Sequence, residues 1–417
     1  MPARTKYIVA VPDGMADEPI EKLGGRTPLA AARKPHMDSL ARQGVVGRVR
    51  TVPEGMPPGS DVANLSLFGY APGLCYTGRA PLEAASLGVG LGPEDLAFRC
   101  NLVRLADRDG RRVMADYSGG GIASEWAGRC VQVLQEVLGD SEVSFHAGVS
   151  YRHVVRWKGA RSAFEGLETT PPHDITDQEI LPHLPRGPGK EKLTALMERA
   201  RDVLASSRLP RPVASELEGK VNAVWLWGQG PAPAMVPLTE RFGIRGVTVC
   251  AVDLVKGLGH YAGLRPVRVP GATGDLDTDY RAKARAALEA LETEDFVFLH
   301  VEAPDEASHR GNLEAKIEAI ERFDSDVLDP LYKGLVRMRT PFRLLLCPDH
   351  PTPLRIRTHT GGPVPFLVYC DPRAAYPATM KLGDWPSVST FDEASAAATG
   401  LFFDKGHELL AFLLGKS

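Results

Sequence analysis

Three apolar runs constrain this chain most: Tyr7–Val11, Phe296–Val301 and Phe342–Cys347. Each is rich in β-branched residues or leucine, and none alternates cleanly between apolar and polar. A strand wet on one face alternates; a strand buried on both faces does not, and such strands belong to parallel sheets. Pro365–Tyr369 reads the same way. Between these runs lie helical patterns. Thr278–Leu291 is dense in Ala, Arg and Leu, and Leu313–Phe323 repeats apolar positions at helical spacing. Strands alternating with helices predict an α/β sandwich.

The middle of the chain has a different texture. From Gly78 to Pro233 glycine and proline are frequent and the apolar runs are shorter. Strands are predicted at Phe98–Leu105, Val143–Phe145, Val154–Trp157 and Ala223–Trp227, and a helix at Lys190–Ala205. Thr169–Asp174 and Leu184–Lys190 read as loops. This pattern predicts a smaller α/β domain, residues 77–235, inserted into a domain built from residues 1–76 and 236–417. Ala394–Ala398 reads as part of a terminal helix.

At 417 residues the chain has length for two or three domains. Charged residues make up 24% and hydrophobic residues 43%, which excludes a largely disordered chain. The net charge of −3 gives no electrostatic reason for nucleic acid or an anionic membrane as a partner. The six cysteines, Cys75, Cys100, Cys130, Cys250, Cys347 and Cys370, form no Cys-x-x-Cys pair and read as reduced, buried thiols. The opening apolar run stops at Pro12-Asp13, too soon for a signal peptide, and nowhere do 18 apolar residues run together. A cytoplasmic, enzyme-sized protein is expected; no feature specifies an oligomeric state.

The residues just beyond each strand carry the chemistry. The first run leads into Asp13. The second leads into Asp305-Glu-Ala-Ser-His309. The third leads into Asp349-His350, with His359 beyond. In open α/β sheets ligands bind beyond the carboxyl ends of the strands. Three strands therefore deliver acids and histidines to one edge. A single Asp after a strand is ordinarily a helix N-cap, and a single His ordinarily a satisfied core or surface residue. The coincidence of three strand ends is what points to a cation, and Asp with His suits Zn²⁺ or Mn²⁺. Asp305 and His309, four apart, share one helical face. Asp349 and His350 serve either two neighbouring ions or one ion from a turn. Two adjacent metals suit phosphoryl transfer, where attacking and leaving oxygens both need stabilising.

A second feature is Pro57-Pro-Gly-Ser60-Asp-Val-Ala-Asn64-Leu-Ser66. Glycine and proline shape a tight loop, and Ser60 falls at a predicted helix start, where amides favour an anion. An isolated serine there is an N-cap; beside two metals it is a candidate nucleophile. No Gly-x-x-x-x-Gly-Lys-Ser/Thr loop is present, Leu87–Gly92 does not spell Gly-x-Gly-x-x-Gly, and no Gly-x-Ser-x-Gly elbow surrounds Ser60.

In this order, Asp13, Ser60, Asp305-x-x-x-His309, Asp349-His350 and His359 resemble the alkaline phosphatase superfamily. More closely, the chain resembles the archaeal-type cofactor-independent (2,3-bisphosphoglycerate-independent) phosphoglycerate mutases. The segments carrying this are Val11–Asp17, Leu23–Leu29, Pro58–Ser66, Phe98–Asn101, Glu302–His309, Pro348–His350 and His359–Phe366. The resemblance implies an alkaline-phosphatase-like three-layer sandwich with a mainly parallel sheet and an inserted α/β lid. It implies that Ser60 is phosphorylated in turnover, that Asp13, Ser60, Asp349 and His350 hold one metal, and that Asp305, His309 and His359 hold the other. The metals expected are Mn²⁺, with Zn²⁺, Mg²⁺ or Co²⁺ as alternatives, and no bisphosphoglycerate. The reaction implied interconverts 3-phosphoglycerate and 2-phosphoglycerate, in glycolysis and gluconeogenesis.

Such a substrate carries a phosphate and a carboxylate, so cations are expected around it. Arg79, Arg99, Arg152, His153 and Lys256 are the candidates, since arginine binds carboxylates in two-pronged fashion. The middle domain departs from archaeal forms at Asp116–Gly121, Ser150–His153 and Pro171–Thr176, and there resembles a bacterial branch linked to homoserine phosphorylation. A homoserine kinase-like phosphotransferase is therefore the alternative expectation, together with a metal-dependent phosphatase.

Overall fold

A computed structural model describes residues 4–206, 209–374 and 386–416. The chain divides into two compact units, Met1–Tyr76 with Ala234–Ser417, and Thr77–Pro233.

Among the described residues, the first unit is built on an eight-stranded sheet. Its order is Phe402–Phe403, Val45–Val49, Val364–Cys370, Phe342–Leu346, Lys6–Pro12, Phe296–Val301, Gly246–Val249, Arg265–Pro266. Lys6–Pro12 lies between Phe296–Val301 and Phe342–Leu346 and runs parallel to both, with Val9 opposite Phe298 and Leu345. Every residue of Phe296–Val301 is buried, as its unbroken apolar character requires.

Val364–Cys370 differs from the expectation in direction, pairing antiparallel with both neighbours. The chain from Cys347 to Pro363 contains no helix to carry a parallel crossover. Full burial looks the same in either direction, so its composition gave no warning.

Helices cover both faces. On one, Tyr280–Thr293, Leu313–Arg322 and Asp329–Arg337 pack Ala284, Leu291, Ile320 and Leu331 against Ile8, Val297, Leu299 and Leu344. Asp279 and Asn312 cap the first two by accepting the N–H groups of Ala282 and Ala315. On the other, Ser60–Leu67 packs against Asp253–Tyr261 and Glu408–Leu414, and Phe68 stacks on Phe298 at 3.9 Å between ring centroids. The helix Glu393–Ala398 is not terminal: Phe402–Phe403 and Glu408–Leu414 follow it.

In the second unit Leu96–Arg108 is the central strand, paired antiparallel with Arg111–Asp116, Arg152–Trp157 and Ala223–Gly230. Val143–His146 extends the sheet beyond Arg152–Trp157. Ser124–Leu138 and Lys190–Ala205 place Leu134, Leu193 and Ala200 on the face carrying Phe98, Cys100 and Leu102, giving this unit its own core.

Candidate active site

Asp13 follows the last residue of the first strand, and the chain turns at once through Gly14, whose φ is +61°. A Cβ at Gly14 would lie 2.5 Å from Asp305 Oδ1 and 2.6 Å from Thr352 Oγ1, so only glycine lets the three loops meet. The Gly14 N–H donates to Asp349 Oδ1 (3.1 Å), as does the His350 N–H (2.9 Å). Asp349 and His350 therefore sit in a turn, with both side chains aimed inward and fully buried.

The helix Ser60–Leu67 begins at Ser60, and Gly59 occupies the cap position. Freed from capping, Ser60 Oγ lies 3.0 Å from His350 Nε2. Asn64, one turn along, donates to Ser60 O and to Asp349 Oδ2, both at 2.9 Å, fixing the serine to the acid.

Asp305 and His309 face the same way from the helix Ala303–His309, 3.0 Å apart. His309 Nδ1 faces the Arg357 carbonyl at 2.9 Å. A carbonyl only accepts, so Nδ1 carries a proton and Nε2 is turned to Asp305 and to His359 Nε2, 3.0 Å away.

Candidate ligand atoms of Asp305, His309 and His359 lie within 4.8 Å of one another, and so do those of Asp13, Asp305 and His350. A third such group, Asp13, His300 and Asp349, includes a histidine not singled out from the sequence. His300 is fully buried in Phe296–Val301, where one polar residue among apolar ones was the available signal. Its Nδ1 contacts Glu302 (3.0 Å), Lys283 clamps Glu302 from the other side (2.8 Å), and its Nε2 lies 3.4 Å from Asp13 Oδ2.

These residues fit divalent metal ions. Asp13 Oδ1 and His300 Nε2 are buried without a hydrogen-bond partner. Burial first, then the neighbouring Asp349 and Asp305, push the Asp13 carboxyl well above the usual range. Burial acts the same way on Asp305, but hydrogen bonds from His309 and His359 outweigh it and hold that acid well below its usual value. A cation completes such a set, and carboxylate with imidazole is a suitable donor mixture.

Lys256 lies on Asp253–Tyr261, pairs with Asp253 at 3.0 Å, and lines a cavity of about 480 Å³ with Cys250 and Arg268.

The second unit gathers the other cations. Arg99 is gripped by Glu83 through two contacts of 3.0 Å and lies over the Trp227 ring at 4.2 Å. Burial is the main influence lowering its pKa; Glu83 opposes it, and the charges of Arg79 and Arg152 lower it further. The structure does not bring His153 to this group. His153 pairs with Cys100 and shares its pleat face with Val155, toward the helices, whereas Arg152 shares the face of Arg99. It is 1% exposed; its Nδ1 accepts the Gly148 N–H, and burial pushes its pKa down to about 4. His173 takes the place expected of it. Its ring meets Trp227 and Tyr117 edge-on at 5.4 and 6.0 Å; burial and then, against Asp174, the charges of Arg99 and Arg79 lower its pKa. It lies in the single 3₁₀ turn Pro172–Ile175, within a stretch that the sequence reads as loop, and one turn is too short for a periodicity to mark a residue's direction.

Fold and site together define an α/β chain with a serine hydroxyl set among carboxylates and imidazoles at its strand ends, equipment suited to metal-assisted phosphoryl transfer. A family model described as "2,3-bisphosphoglycerate-independent phosphoglycerate mutase" matches residues 41–209. A Geobacter sulfurreducens protein described as "Probable 2,3-bisphosphoglycerate-independent phosphoglycerate mutase" is 49% identical over 411 residues, covering 99% of this chain and 100% of its own. A Methanothrix thermoacetophila mutase of the same description, without the qualifier, is 49% identical over 409 residues, with 98% and 99% covered. Among solved structures, a Pyrococcus horikoshii protein aligns with a TM-score of 0.79 at 28% identity, covering 100% of this chain and 98% of its own. The cofactor-independent phosphoglycerate mutase of Thermoplasma acidophilum aligns at 0.65 and 27% identity, covering 98% and 99%. The chain belongs to the 2,3-bisphosphoglycerate-independent phosphoglycerate mutase family.

Proposed function

We propose that this chain interconverts 3-phosphoglycerate and 2-phosphoglycerate through a phosphorylated Ser60, as a cytoplasmic step of glycolysis and gluconeogenesis. The observation that carries the reading is Ser60 Oγ, 3.0 Å from His350 Nε2 and turned away from capping its own helix. Ser60 Oγ bonds to the substrate phosphorus as the ester bond to the glycerate oxygen breaks. The proton that the serine gives up is matched by the one the freed hydroxyl takes. The other glycerate hydroxyl then attacks the same phosphorus, and Ser60 regains its proton. Phosphoryl group and protons balance over the cycle.

Asp13, Ser60, Asp349 and His350 would hold one divalent ion and Asp305, His309 and His359 the other, with Mn²⁺ as the ion proposed. When bound, the ions neutralise phosphoryl oxygens and make the serine hydroxyl more acidic. The arginines of the second unit are assigned to the glycerate. Glu83 and Trp227 hold Arg99 in one orientation before substrate arrives, which removes an ordering cost from binding. Arg79, Arg152 and His173 share that task, and Lys256 is assigned to an anionic group of the substrate. His153, buried against the helices, is given no part in it.

The homoserine kinase-like alternative is not favoured, because relatives matching 98–99% of the chain are named mutases. The test is Mn²⁺-loaded protein with 3-phosphoglycerate, coupled to enolase, without bisphosphoglycerate, beside a sample given ATP and homoserine. Formation of 2-phosphoglycerate that EDTA abolishes is expected. Phosphohomoserine in its place would overturn the acceptor assignment.

A further inference from the structure

Thr352 is fully buried, and its hydroxyl touches one proposed ligand of each ion. It donates to Asp305 Oδ1 at 2.5 Å and contacts His350 Nδ1 at 3.2 Å. A hydroxyl has one proton and two lone pairs. The carboxylate takes the proton, so the second contact runs the other way and His350 Nδ1–H is the donor. That places the neutral ring's proton on Nδ1 and leaves the Nε2 lone pair facing Ser60 Oγ (3.0 Å), Asp349 Oδ2 (3.4 Å) and Asp13 Oδ1 (3.5 Å). The hydroxyl is itself held from the backbone: the Thr352 N–H donates to Ala16 O (3.1 Å), and Thr352 O accepts from the buried Lys316 Nζ (3.0 Å). The same ammonium pairs with Asp17 at 2.7 Å, tying the loop after the first strand to the loop after Phe342–Leu346.

We propose that Thr352 is a positioning residue that couples the two ion positions, orienting Asp305 of one and fixing the ring tautomer of His350 of the other through a single hydroxyl. This rests on the two-ion reading of the active site. Partners of this kind behind metal ligands are worth roughly 10–100-fold in metal affinity. The hydroxyl touches one ligand from each position, so its loss weakens both together.

The experiment is calorimetric titration of metal-free protein with Mn²⁺, comparing the parent chain, Thr352→Val and Thr352→Ser, with thermal unfolding of each metal-free form. In the parent, two equivalents bind. In Thr352→Val, which keeps the shape and loses the hydroxyl, both equivalents weaken by roughly 10–100-fold. In Thr352→Ser, which keeps the hydroxyl, both stay near parental affinity. Weakening of one equivalent alone overturns the coupling, as does unchanged binding in Thr352→Val. Equal weakening in Thr352→Ser and Thr352→Val, tracking a shared loss of metal-free stability, overturns it in favour of packing alone. A parent that binds fewer than two ions overturns the two-ion reading as well.

Discussion

Glu302→Gln gives a quantitative test of how the buried charges behind Asp13 are balanced. Glu302 is 3% exposed and lies between the Lys283 ammonium and the His300 ring. Burial alone would raise its pKa, but Lys283 and then His300 outweigh it and bring it from 4.5 down to about 2. A drop of that size corresponds to about 3 kcal/mol favouring the ionised, folded form. A glutamine amide stands in for the protonated acid. At neutral pH the variant is therefore expected to be about 3 kcal/mol less stable, the range found when one partner of a buried pair is removed. The pH dependence carries the stronger signature. A carboxyl whose pKa is depressed on folding contributes fully above its unfolded value of 4.5 and loses that contribution as the pH falls toward 2. The gap between parent and variant should hold steady from pH 7 to 5 and shrink to about 1 kcal/mol by pH 3. All other titrating groups are common to both proteins and cancel. The assay is denaturant unfolding of metal-free protein, followed by far-ultraviolet circular dichroism across that pH range. A gap of the same size at pH 3 and pH 7, or no gap at pH 7, would refute the account of Lys283 and His300 as partners of an ionised Glu302.

Ser60→Ala should abolish transfer and the appearance of labelled phosphoserine, with unfolding free energy changed by no more than about 0.5 kcal/mol, as for a substitution outside the core; retained turnover would sink the nucleophile assignment. Gly14→Ala forces a side chain to φ +61° and drives a Cβ against Asp305 Oδ1. It should cost about 1–2 kcal/mol from the backbone alone, and metal analysis should show fewer ions per chain. Arg99→Lys loses the fork to Glu83 and the stack on Trp227. It should raise KM for 3-phosphoglycerate roughly tenfold, the equivalent of about 1.4 kcal/mol, with the metal content unchanged; an unaltered KM would remove Arg99 from the substrate.

The sequence was most legible where burial leaves one explanation. Phe296–Val301 begins and ends where its apolar run does, because each position is sealed on both faces. The acids and histidines could be grouped because they follow strand ends, and strand ends of a parallel sheet meet at one edge. The direction of Val364–Cys370 was not legible, since composition records burial and not polarity. Lys283 was hidden for a related reason. In an Ala- and Arg-rich helix a lysine reads as solvent-facing, and only the fold shows it running inward to Glu302. His153 and His173 show the limit most plainly. One lies beside Arg152 in sequence and is turned away by the pleat, while the other reaches the arginine cluster from a single 3₁₀ turn, too short to carry a period. Thr352 depends on a contact 47 residues distant in sequence, which no local pattern announces.

The chain leaves the first unit after Tyr76 and re-enters it at Ala234. Within that unit the two ends are neighbours, for the Cys75 thiol donates to Ala234 O at 3.5 Å. Within the second, Thr77 Oγ1 donates to Pro231 O at 2.7 Å, so its own ends are neighbours as well. Each unit is thus closed on itself, and joining the ends of either takes only a short linker at small entropic cost. The carboxylates, imidazoles and serine are encoded entirely in one unit and the arginine cluster in the other. On the proposed function, acceptor recognition is in this sense a cassette. On that proposal, an exchange at the two seams would alter which alcohol is served while the machinery at the strand ends is inherited intact.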